Sequence, residues 1–262
     1  MQSFDVIVVG SGHSGCEAAQ ISAKMGCSVG LISMDISALA TMPCNPAIGG
    51  SAKGQIVGEI DALGGVMGKV ADQSFIQMKV LNRSRGPAVQ CLRAQSDKSL
   101  YSEKMTELIR SCKGITLIQG MVTSIVTEET EDGLYQKKCT GVEVKTGKGS
   151  EKYASSKVII TSGTFLQGKC HIGMTNTAGG RFEEEAAVGL SDSLRSLGLE
   201  LGRLKTGTPP RLDSRTIDFN QMSIQPGDHE CLRFSFTTAL NELYKDQLPC
   251  YLTQTNEKTH DV

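Results

Sequence analysis

The residue of this sequence best suited to covalent chemistry is a cysteine in a proline-rich loop. Cys44 stands between Pro43 and Pro46, a few residues before the pair Gly49-Gly50. A thiolate attacks electrophiles once its pKa is lowered, and free backbone N–H groups or the nearby Lys53 would lower it. The alternative is a buried, unreactive cysteine, which is how we interpret the other eight cysteines. We predict that Cys44 is catalytic and that Gly49 and Gly50 contact a cofactor through their backbone.

A glycine-rich turn near the N-terminus has the residue types that bind a diphosphate. The turn reads Gly10-Ser11-Gly12-His13-Ser14-Gly15 and follows the apolar run Val6 to Val9. Gly10 permits a sharp turn, Gly12 lets the backbone approach a pyrophosphate, and Gly15 lets the next helix lie close to the strand. The start of that helix attracts negative charge. We predict that these six residues bind a nucleotide cofactor, the alternative being a purely structural turn.

The ribose contact of this turn departs from the usual pattern. A second apolar run, Val29 to Ile32, ends on Ser33, where a carboxylate usually binds the ribose. Asp35 comes later than the expected spacing, so it is either the ribose ligand or a solvated loop residue. We interpret His13 as a packing or phosphate-adjacent residue rather than a catalytic base.

Basic residues recur in the loops that are rich in glycine and proline. A solvated charge is the default interpretation of each. Arginine also pairs well with phosphate and carboxylate groups, so their recurrence indicates that some of them contact such a ligand. The residues are Arg83, Arg85, Arg93, Arg203, Lys205, Arg211 and Arg215.

The overall composition narrows the class of protein. A chain of 262 residues can form one large domain or two. The formal net charge of -1 gives no global signature of nucleic-acid binding, so any RNA contact must come from local clusters. No long apolar run or secretory segment is present, which predicts a cytoplasmic protein without a membrane contact. The nine cysteines form no Cys-x-x-Cys pair, and we predict no metal site.

The elements that must position these residues alternate between strands and helices. The glycine turn joins residues 6–9 to small residues at helical spacing, and residues 29–32 follow, which predicts a β-α-β unit. Val158 to Thr161 predicts a buried strand that returns the chain to the cofactor, so Gly163 is a candidate contact. The alternation predicts a doubly wound α/β fold.

Two further helices are indicated by apolar spacing and stop signals. One is predicted at residues 55–63, ending at Gly64-Gly65. The other starts near residue 99, and its apolar stripe contains Tyr101, Met105 and Ile109. We interpret that stripe as core.

A small antiparallel insertion and a domain boundary complete the predicted organisation. Residues 122–126 and 141–145 have the pattern of paired strands. The composition changes near Gly202, which divides the chain into a first domain at residues 1–202 and the beginning of a second at residues 203–262.

Seven long motifs resemble one family. They are Cys44-Asn45-Pro46-Ala47-Ile48-Gly49-Gly50, Glu59-Ile60-Asp61-Ala62-Leu63-Gly64-Gly65, Gly86-Pro87-Ala88-Val89-Gln90, Arg93-Ala94-Gln95, Gly163-Thr164-Phe165-Leu166, the run from Gly202 to Arg211, and Thr255 to Val262. On these motifs the chain is identified as a member of the tRNA uridine 5-carboxymethylaminomethyl modification enzyme family, called MnmG or GidA, over essentially its whole length.

The resemblance implies a flavoenzyme that modifies the wobble uridine of certain tRNAs. The implied fold is an FAD-binding, Rossmann-like domain of the glutathione-reductase type, followed by the start of an inserted NADH-binding domain. The implied assembly is a homodimer that works with a partner GTPase of the MnmE type. Methylenetetrahydrofolate would supply the methylene group, with NADH and an amine source (glycine or ammonium) completing the reaction.

The resemblance also assigns individual residues. The turn Gly10 to Gly15 would bind the FAD pyrophosphate, and Val122 would contact its adenosine end. Cys44 matches one of two essential cysteines of the family. Its role is thiol chemistry either at the uridine ring or on a methylene carried by the flavin, and the sequence does not choose between them.

Two departures from the family pattern stand out. Ala187 occupies the position of a serine that touches FAD, so a hydroxyl contact is lost. The family also continues beyond residue 262, through its second essential cysteine and the C-terminal helices that meet the GTPase. The chain is therefore expected to be the N-terminal part of such an enzyme.

Two alternative functions stay open on the sequence. One is the related folate- and FAD-dependent tRNA uridine-5-methyltransferase, although the Cys44 loop and the loop from Lys205 to Arg211 argue against it. The other is a non-catalytic fragment that binds a nucleotide weakly or binds only tRNA, and it predicts no flavin absorbance in the purified chain.

Overall fold

The computed structural model describes residues 1–42, 45–131, 136–181, 183–230, 232–243 and 246–261. The strands are β1 (Gln2–Ser3), β2 (Val6–Val9), β3 (Val29–Ser33), β4 (Ala47–Gly49), β5 (Phe75–Leu81), β6 (Cys91–Ser96), β7 (Ile115–Gln119), β8 (Met121–Glu129), β9 (Lys137–Thr146), β10 (Gly149–Ala154), β11 (Val158–Ile160), β12 (Lys169–Ile172), β13 (Thr175–Ala178), β14 (Ser223–Gln225) and β15 (Cys250–Leu252). The helices are α1 (His13–Lys24), α2 (Gly54–Ala62), α3 (Met67–Ser74), α4 (Lys98–Ser111), α5 (Leu190–Ser196) and α6 (Glu257–His260). These elements confirm the predicted α/β class.

The chain folds into two compact units. The first consists of Met1–Pro43 and Ser102–Lys205, and the second of Cys44–Tyr101 and Thr206–Val262. Residues 44–101 fall in the second unit because strands β4, β5 and β6 pair with one another there. The division into domains at residue 202 stays a prediction.

A parallel sheet of four strands forms the centre of the first unit. Its order is β11-β2-β3-β7, with Val9 opposite Ile32 and Ile32 opposite Ile118. All four residues of β2 are buried, as is usual for a parallel strand covered on both faces. Helix α1 connects β2 to β3, so the predicted β-α-β unit is confirmed.

Strand β11 lies at one edge of this sheet. It runs parallel to β2, with Val158 opposite Ile7. The prediction of a buried strand is wrong here, since Ile159 is 38% exposed and Ile160 is 36% exposed. The reason is the edge position, because only β2 pairs with β11 in the described part of the chain.

A second, largely antiparallel sheet supplies the other half of the core of this unit. Its order is β1-β10-β9-β8, and β8 and β9 contain the predicted strands 122–126 and 141–145. Val122 and Val144 lie opposite each other. They join Phe4 of the N-terminal segment in one buried cluster, which is why the insertion belongs to this unit.

Both of the other predicted helices are confirmed. Helix α2 begins and ends one residue before the predicted range 55–63, and Gly64 follows it with a φ of +89°. That left-handed conformation is the glycine stop signal read from the sequence. In α4, Tyr101, Met105 and Ile109 are at most 1% exposed, as the stripe predicted.

A buried carboxylate organises the second unit. Asp72 of α3 is 1% exposed, and its Oδ1 accepts a hydrogen bond from the Phe234 N–H at 2.8 Å. Its Oδ2 accepts from the Ser235 N–H at 3.0 Å and from the Thr238 hydroxyl at 2.7 Å. One side chain therefore ties the loop of residues 234–238 to α3. The loop in turn places the Phe234 ring where a Cβ on Gly49 would come within 2.6 Å of it.

Removing this carboxylate should destabilise the second unit. Asp72→Ala leaves two buried backbone donors and a hydroxyl without their acceptor, so we expect a loss of roughly 2–4 kcal/mol in the free energy of unfolding. The control is Asp61→Ala, because Asp61 accepts one bond, from the more accessible N–H of Phe236 at 3.1 Å. Its cost should stay below about 1 kcal/mol. Urea denaturation at pH 7 measures both, and equal losses would contradict the assignment.

The pH dependence of stability gives a second test of the same carboxylate. Burial raises the pKa of Asp72 above its ordinary value of 3.8, and the charge of Asp61 adds to that increase. The folded chain thus holds the proton more tightly than the unfolded chain. The part of its stabilisation that depends on this bound proton is complete below pH 3.8 and is lost as the pH rises through the raised pKa, whereas its hydrogen bonds to the loop remain. We expect the stability difference between wild type and Asp72→Ala to shrink as the pH rises from about 4 to 7. A difference that grows over this range would be incompatible with the raised pKa.

Candidate functional site

The glycine turn is packed so tightly that two of its glycines admit no side chain. A Cβ on Gly15 would lie 1.8 Å from the carbonyl oxygen of Gly10. A Cβ on Gly10, whose φ is +100°, would lie 2.5 Å from the carbonyl oxygen of Thr161. Gly12 differs, because nothing lies within 4 Å of its Cβ position. Gly10 and Gly15 thus serve the packing, and the Cβ position of Gly12 faces open space.

The turn ends at the N-terminus of α1, which offers backbone donors. Gly12 is the N-cap residue and no side chain caps the helix. The first turn contains no acidic residue, and Lys24 is in the last turn. The first N–H groups of a helix have no partner within it and carry partial positive charge. This end of α1 is therefore suited to an anion.

The end of β11 closes the turn from the other side. The Thr161 N–H donates to the carbonyl oxygen of Val9 at 2.8 Å. The Thr161 hydroxyl donates to the carbonyl oxygen of Gly10 at 3.0 Å. Gly163, two residues later, has a φ of +55° and no atom within 4 Å of its Cβ position. The late strand thus returns to the glycine turn as the sequence indicated. The contact of Gly163 with a cofactor stays a prediction.

A hydroxyl pair occupies the strand end where a carboxylate usually binds ribose. The Ser33 Oγ at the end of β3 lies 2.7 Å from the Ser11 Oγ in the turn. Asp35 is exposed, and its carboxylate accepts from the Ser37 N–H at 2.7 Å. Ser33 is thus bonded to the turn, and Asp35, the ribose candidate of the sequence, accepts a hydrogen bond within its own loop, so its ribose contact stays a prediction.

A basic side chain that the sequence analysis missed lies near the turn. Burial lowers the pKa of the His13 imidazole, and the charge of Arg181 lowers it further, so this ring is neutral at pH 7. The Arg181 guanidinium carbon is 5.1 Å from the centre of the Phe165 ring. The sequence signal that could have found Arg181 is the glycine pair before it, Gly179-Gly180. Glycine is needed at position 180 because a Cβ there would overlap the Phe165 ring.

The cysteine next to the turn is a packing residue. Cys16 is fully buried, and its thiol donates to the carbonyl oxygen of Ser11 at 3.3 Å. Burial raises its pKa to about 12, with a smaller contribution from the charge of Glu17. A thiol with this pKa is not a nucleophile at neutral pH. The core-filling interpretation is confirmed for this cysteine.

Comparison with known proteins decides the family. A sequence model described as "Glucose inhibited division protein A" (GIDA) matches residues 5–262. The chain belongs to the GidA family. It is 48% identical over 261 residues to the tRNA uridine 5-carboxymethylaminomethyl modification enzyme MnmG of Geobacter metallireducens. It is 47% identical to the MnmG of Streptococcus thermophilus. Each match covers 100% of this chain and 40% of the relative, so the chain spans well under half of these relatives.

Solved structures agree with this membership. The chain is similar to Aquifex aeolicus GidA, with a TM-score of 0.89 and 42% sequence identity, over 99% of this chain and 42% of that one. A GidA-related protein from Thermus thermophilus matches with a TM-score of 0.51 and 19% identity, over 74% of this chain and 68% of that one. The second likeness concerns the fold alone.

Two positions of the GidA pattern have a structural role in this chain. Val122 is 4% exposed and lies in the core, so its side chain serves packing, and its contact with an adenosine stays a prediction. Ala187 pairs with the Phe165 loop: its N–H donates to the Phe165 carbonyl oxygen at 2.8 Å, and its own carbonyl accepts from the Gln167 N–H at 3.0 Å. The methyl group of Ala187 offers no hydrogen bond, and the loss of a hydroxyl contact with FAD at this position stays a prediction.

The predicted catalytic loop belongs to the second unit. Cys44 lies outside the described residues, so its role stays a prediction. Gly49 has a φ of +79°, and a Cβ there would lie 2.3 Å from the Leu92 carbonyl oxygen. The Gly50 N–H donates to the same oxygen at 2.8 Å. Packing within this unit explains why residue 49 is a glycine. The cofactor contacts of Gly49 and Gly50 stay predictions.

Arg83, Arg215 and Arg203, from the set of basic loop residues, contact other groups within their own units. Arg83 pairs with Asp228 at 2.7 Å and with Glu230 at 3.1 Å. Arg215 pairs with Asp213 at 2.6 Å. Arg203 donates to a backbone carbonyl at 3.3 Å. Such contacts fix loops, so they give no indication that these three residues bind a phosphate.

The second unit also contains a cavity of about 490 Å³. Phe75, Met78 and Leu243 form its apolar wall, and His229 and Asp246 are among its polar lining residues. None of the predicted site residues lines it. Within the described ranges, no three His, Cys, Asp or Glu side chains are grouped to hold a metal ion. No helix of those ranges has the length and apolar character needed to cross a bilayer.

Alanine substitutions at two glycines should separate packing from ligand access. Gly15→Ala forces a Cβ into the Gly10 carbonyl, so we expect a loss of at least about 3 kcal/mol in the free energy of unfolding. Gly12→Ala meets open space at a φ of -68°, so its stability should stay within about 1 kcal/mol of wild type. Urea denaturation measures both. A Gly15→Ala variant as stable as Gly12→Ala would contradict the packing described for the turn.

Proposed function

We propose that the chain is the FAD-binding, N-terminal part of an enzyme that modifies wobble uridine 34 of tRNA. The observation that carries the proposal is the match of residues 5–262 to the GidA family, together with 48% identity to a relative named as an MnmG modification enzyme. The modification is the installation of a 5-carboxymethylaminomethyl or aminomethyl group. Since the chain spans 40% of such relatives, the activity is that of the whole protein to which this part contributes.

The residues around the glycine turn fit a dinucleotide. Gly12 leaves open space beside the uncapped N-terminus of α1. The Nε–H of Arg181 is buried and has no acceptor among the described residues. A diphosphate satisfies both features, because it supplies acceptors and negative charge. Bound FAD supplies the redox chemistry that the amino acids lack.

The residues of the chain hold and orient this cofactor. Gly10 and Gly15 fix the turn, and the first N–H groups of α1 would donate to the diphosphate. The Ser11–Ser33 hydroxyl pair stands at the ribose position and can donate to or accept from ribose hydroxyls. The neutral His13 ring adds no charge beside the diphosphate.

The remaining parts of the proposal follow the family. Cys44 is the thiol nucleophile, with Gly49, Gly50, Gly163 and Val122 as further cofactor contacts. Methylenetetrahydrofolate supplies the methylene group and NADH participates. The enzyme is a cytoplasmic homodimer that works with a GTPase of the MnmE type.

The decisive test is a nucleoside analysis in the cells that encode this chain. Removing its gene should abolish the 5-carboxymethylaminomethyl uridine family of nucleosides at position 34, as measured by mass spectrometry of digested tRNA. Restoring the gene with Cys44→Ser should leave the modification absent, since serine is a much weaker nucleophile at neutral pH. Restoring the unmodified gene is the control. Loss of 5-methyluridine instead would favour the methyltransferase, and an unchanged tRNA would contradict the proposal.

A further inference from the structure

Arg181 holds its guanidinium in a position that its contacts within the chain do not fully explain. The group lies over the Phe165 ring, and its Nη1 is 3.4 Å from the Glu184 Oε1, which is a long ion pair. The buried Nε–H has no acceptor in the described part of the chain. An unsatisfied buried donor costs free energy, more so on a charged group. The described residues therefore leave room for an acceptor at this Nε–H.

The position of this cation relative to the glycine turn points to that acceptor. Phe165, on which the guanidinium lies, comes four residues after Thr161, whose hydroxyl contacts the Gly10 carbonyl. Arg181 is also close enough to His13, the first residue of α1, for its charge to lower the pKa of that imidazole. The cation and the N-terminus of α1 thus belong to the same anion-attracting region.

The turn after Arg181 places a competing carboxylate beside it. The Gly180 N–H donates to the Glu184 carbonyl oxygen at 3.2 Å, and the Glu184 N–H donates to the Arg181 carbonyl oxygen at 3.1 Å. Glu183 takes a φ of +62°, a left-handed conformation that favours glycine. This turn presents the Glu184 carboxylate to the guanidinium. The glutamate side chain is 48% exposed, so its ion pair is weak and can be exchanged at little cost.

We propose that Arg181 is a ligand of the FAD diphosphate and that Glu184 competes with the diphosphate for it. The inference rests on the proposed function, because it concerns the same cofactor site. A guanidinium offers several N–H donors in a planar fork, so it can bind a phosphate through Nε and one Nη at once. The diphosphate would satisfy the buried Nε–H and displace the long bond to Glu184. Glu184 thereby weakens cofactor affinity and makes it sensitive to salt.

The experiment measures the dissociation constants of FAD and ADP, in the chain or in any longer product of its gene that contains it. Quenching of flavin fluorescence reports FAD, and competition reports ADP. We expect Arg181→Gln to weaken both about tenfold or more, since a charge-assisted hydrogen bond is worth about 1.5–3 kcal/mol. The dissociation constants of Arg181→Lys should fall between those of wild type and Arg181→Gln, because lysine keeps the positive charge but lacks the planar set of N–H donors. Glu184→Gln should tighten both about two- to fivefold, and raising the salt should reduce that gain.

A second ion pair of the chain provides the matched control. Arg195 and Asp192 have the same spacing on α5, with a bond of 2.8 Å, and both are exposed. Arg195→Gln and Asp192→Asn should change neither dissociation constant. Thermal unfolding checks that each variant is folded, and Glu184→Gln alone still tests the inference if Arg181→Gln does not fold.

The outcomes separate this inference from the proposed function. FAD binding by wild type that neither Arg181→Gln nor Glu184→Gln alters would overturn the inference and leave the flavoenzyme intact. Equal losses in Arg181→Gln and Arg195→Gln would also overturn it, because the effect would then be one of general charge. No FAD binding by wild type would overturn both.

Discussion

Backbone contact without side chains is the constraint on which the candidate site depends. At the glycine turn, strand β2, helix α1 and the end of strand β11 lie so close that a Cβ added to Gly15 would come within 1.8 Å of the Gly10 carbonyl oxygen, and one added to Gly10 within 2.5 Å of the Thr161 carbonyl oxygen. This contact fixes where α1 begins relative to the two strands. The helix N-terminus, with its backbone N–H donors, is thereby held at the ends of the parallel strands, where α/β sheets bind ligands.

The charges around this turn favour an anion. Hydroxyls of Ser11 and Ser33 replace the carboxylate that many dinucleotide sites place at the strand end, so one negative charge is absent there. The first turn of α1 has no acidic residue. Arg181 adds a cation, and Glu184 offsets part of it through a weak pair. In the proposed site, a diphosphate would meet a field to which backbone dipoles and the Arg181 guanidinium contribute.

The second unit is held together by a different device. Side-chain acceptors attach several of its loops to strands and helices. Asp72 holds residues 234–238 through three hydrogen bonds. Along strand β5, Gln247 accepts from the Met78 N–H at 2.7 Å and Asp228 accepts from the Val80 N–H at 2.8 Å. These side chains satisfy backbone groups that an exposed strand edge would leave open.

The sequence by itself determined the features that depend on local order in the chain. Glycine spacing at residues 10–15, the apolar runs beside it and the stop at Gly64 are short-range signals, and each produced the predicted element. The motifs also determined the family, because long runs of matching residues need no knowledge of contacts. The tertiary structure decided the rest.

Contacts between distant parts of the chain could not be read from spacing. The exposure of Ile159 and Ile160 follows from the place of β11 in the strand order, which no local pattern encodes. Asp72 accepts hydrogen bonds from partners more than 160 residues away, and the Arg181 guanidinium lies over Phe165, in the loop that follows β11. Local propensity fixed which elements form, and the pairing of distant elements fixed which side chains share an environment and which charges meet.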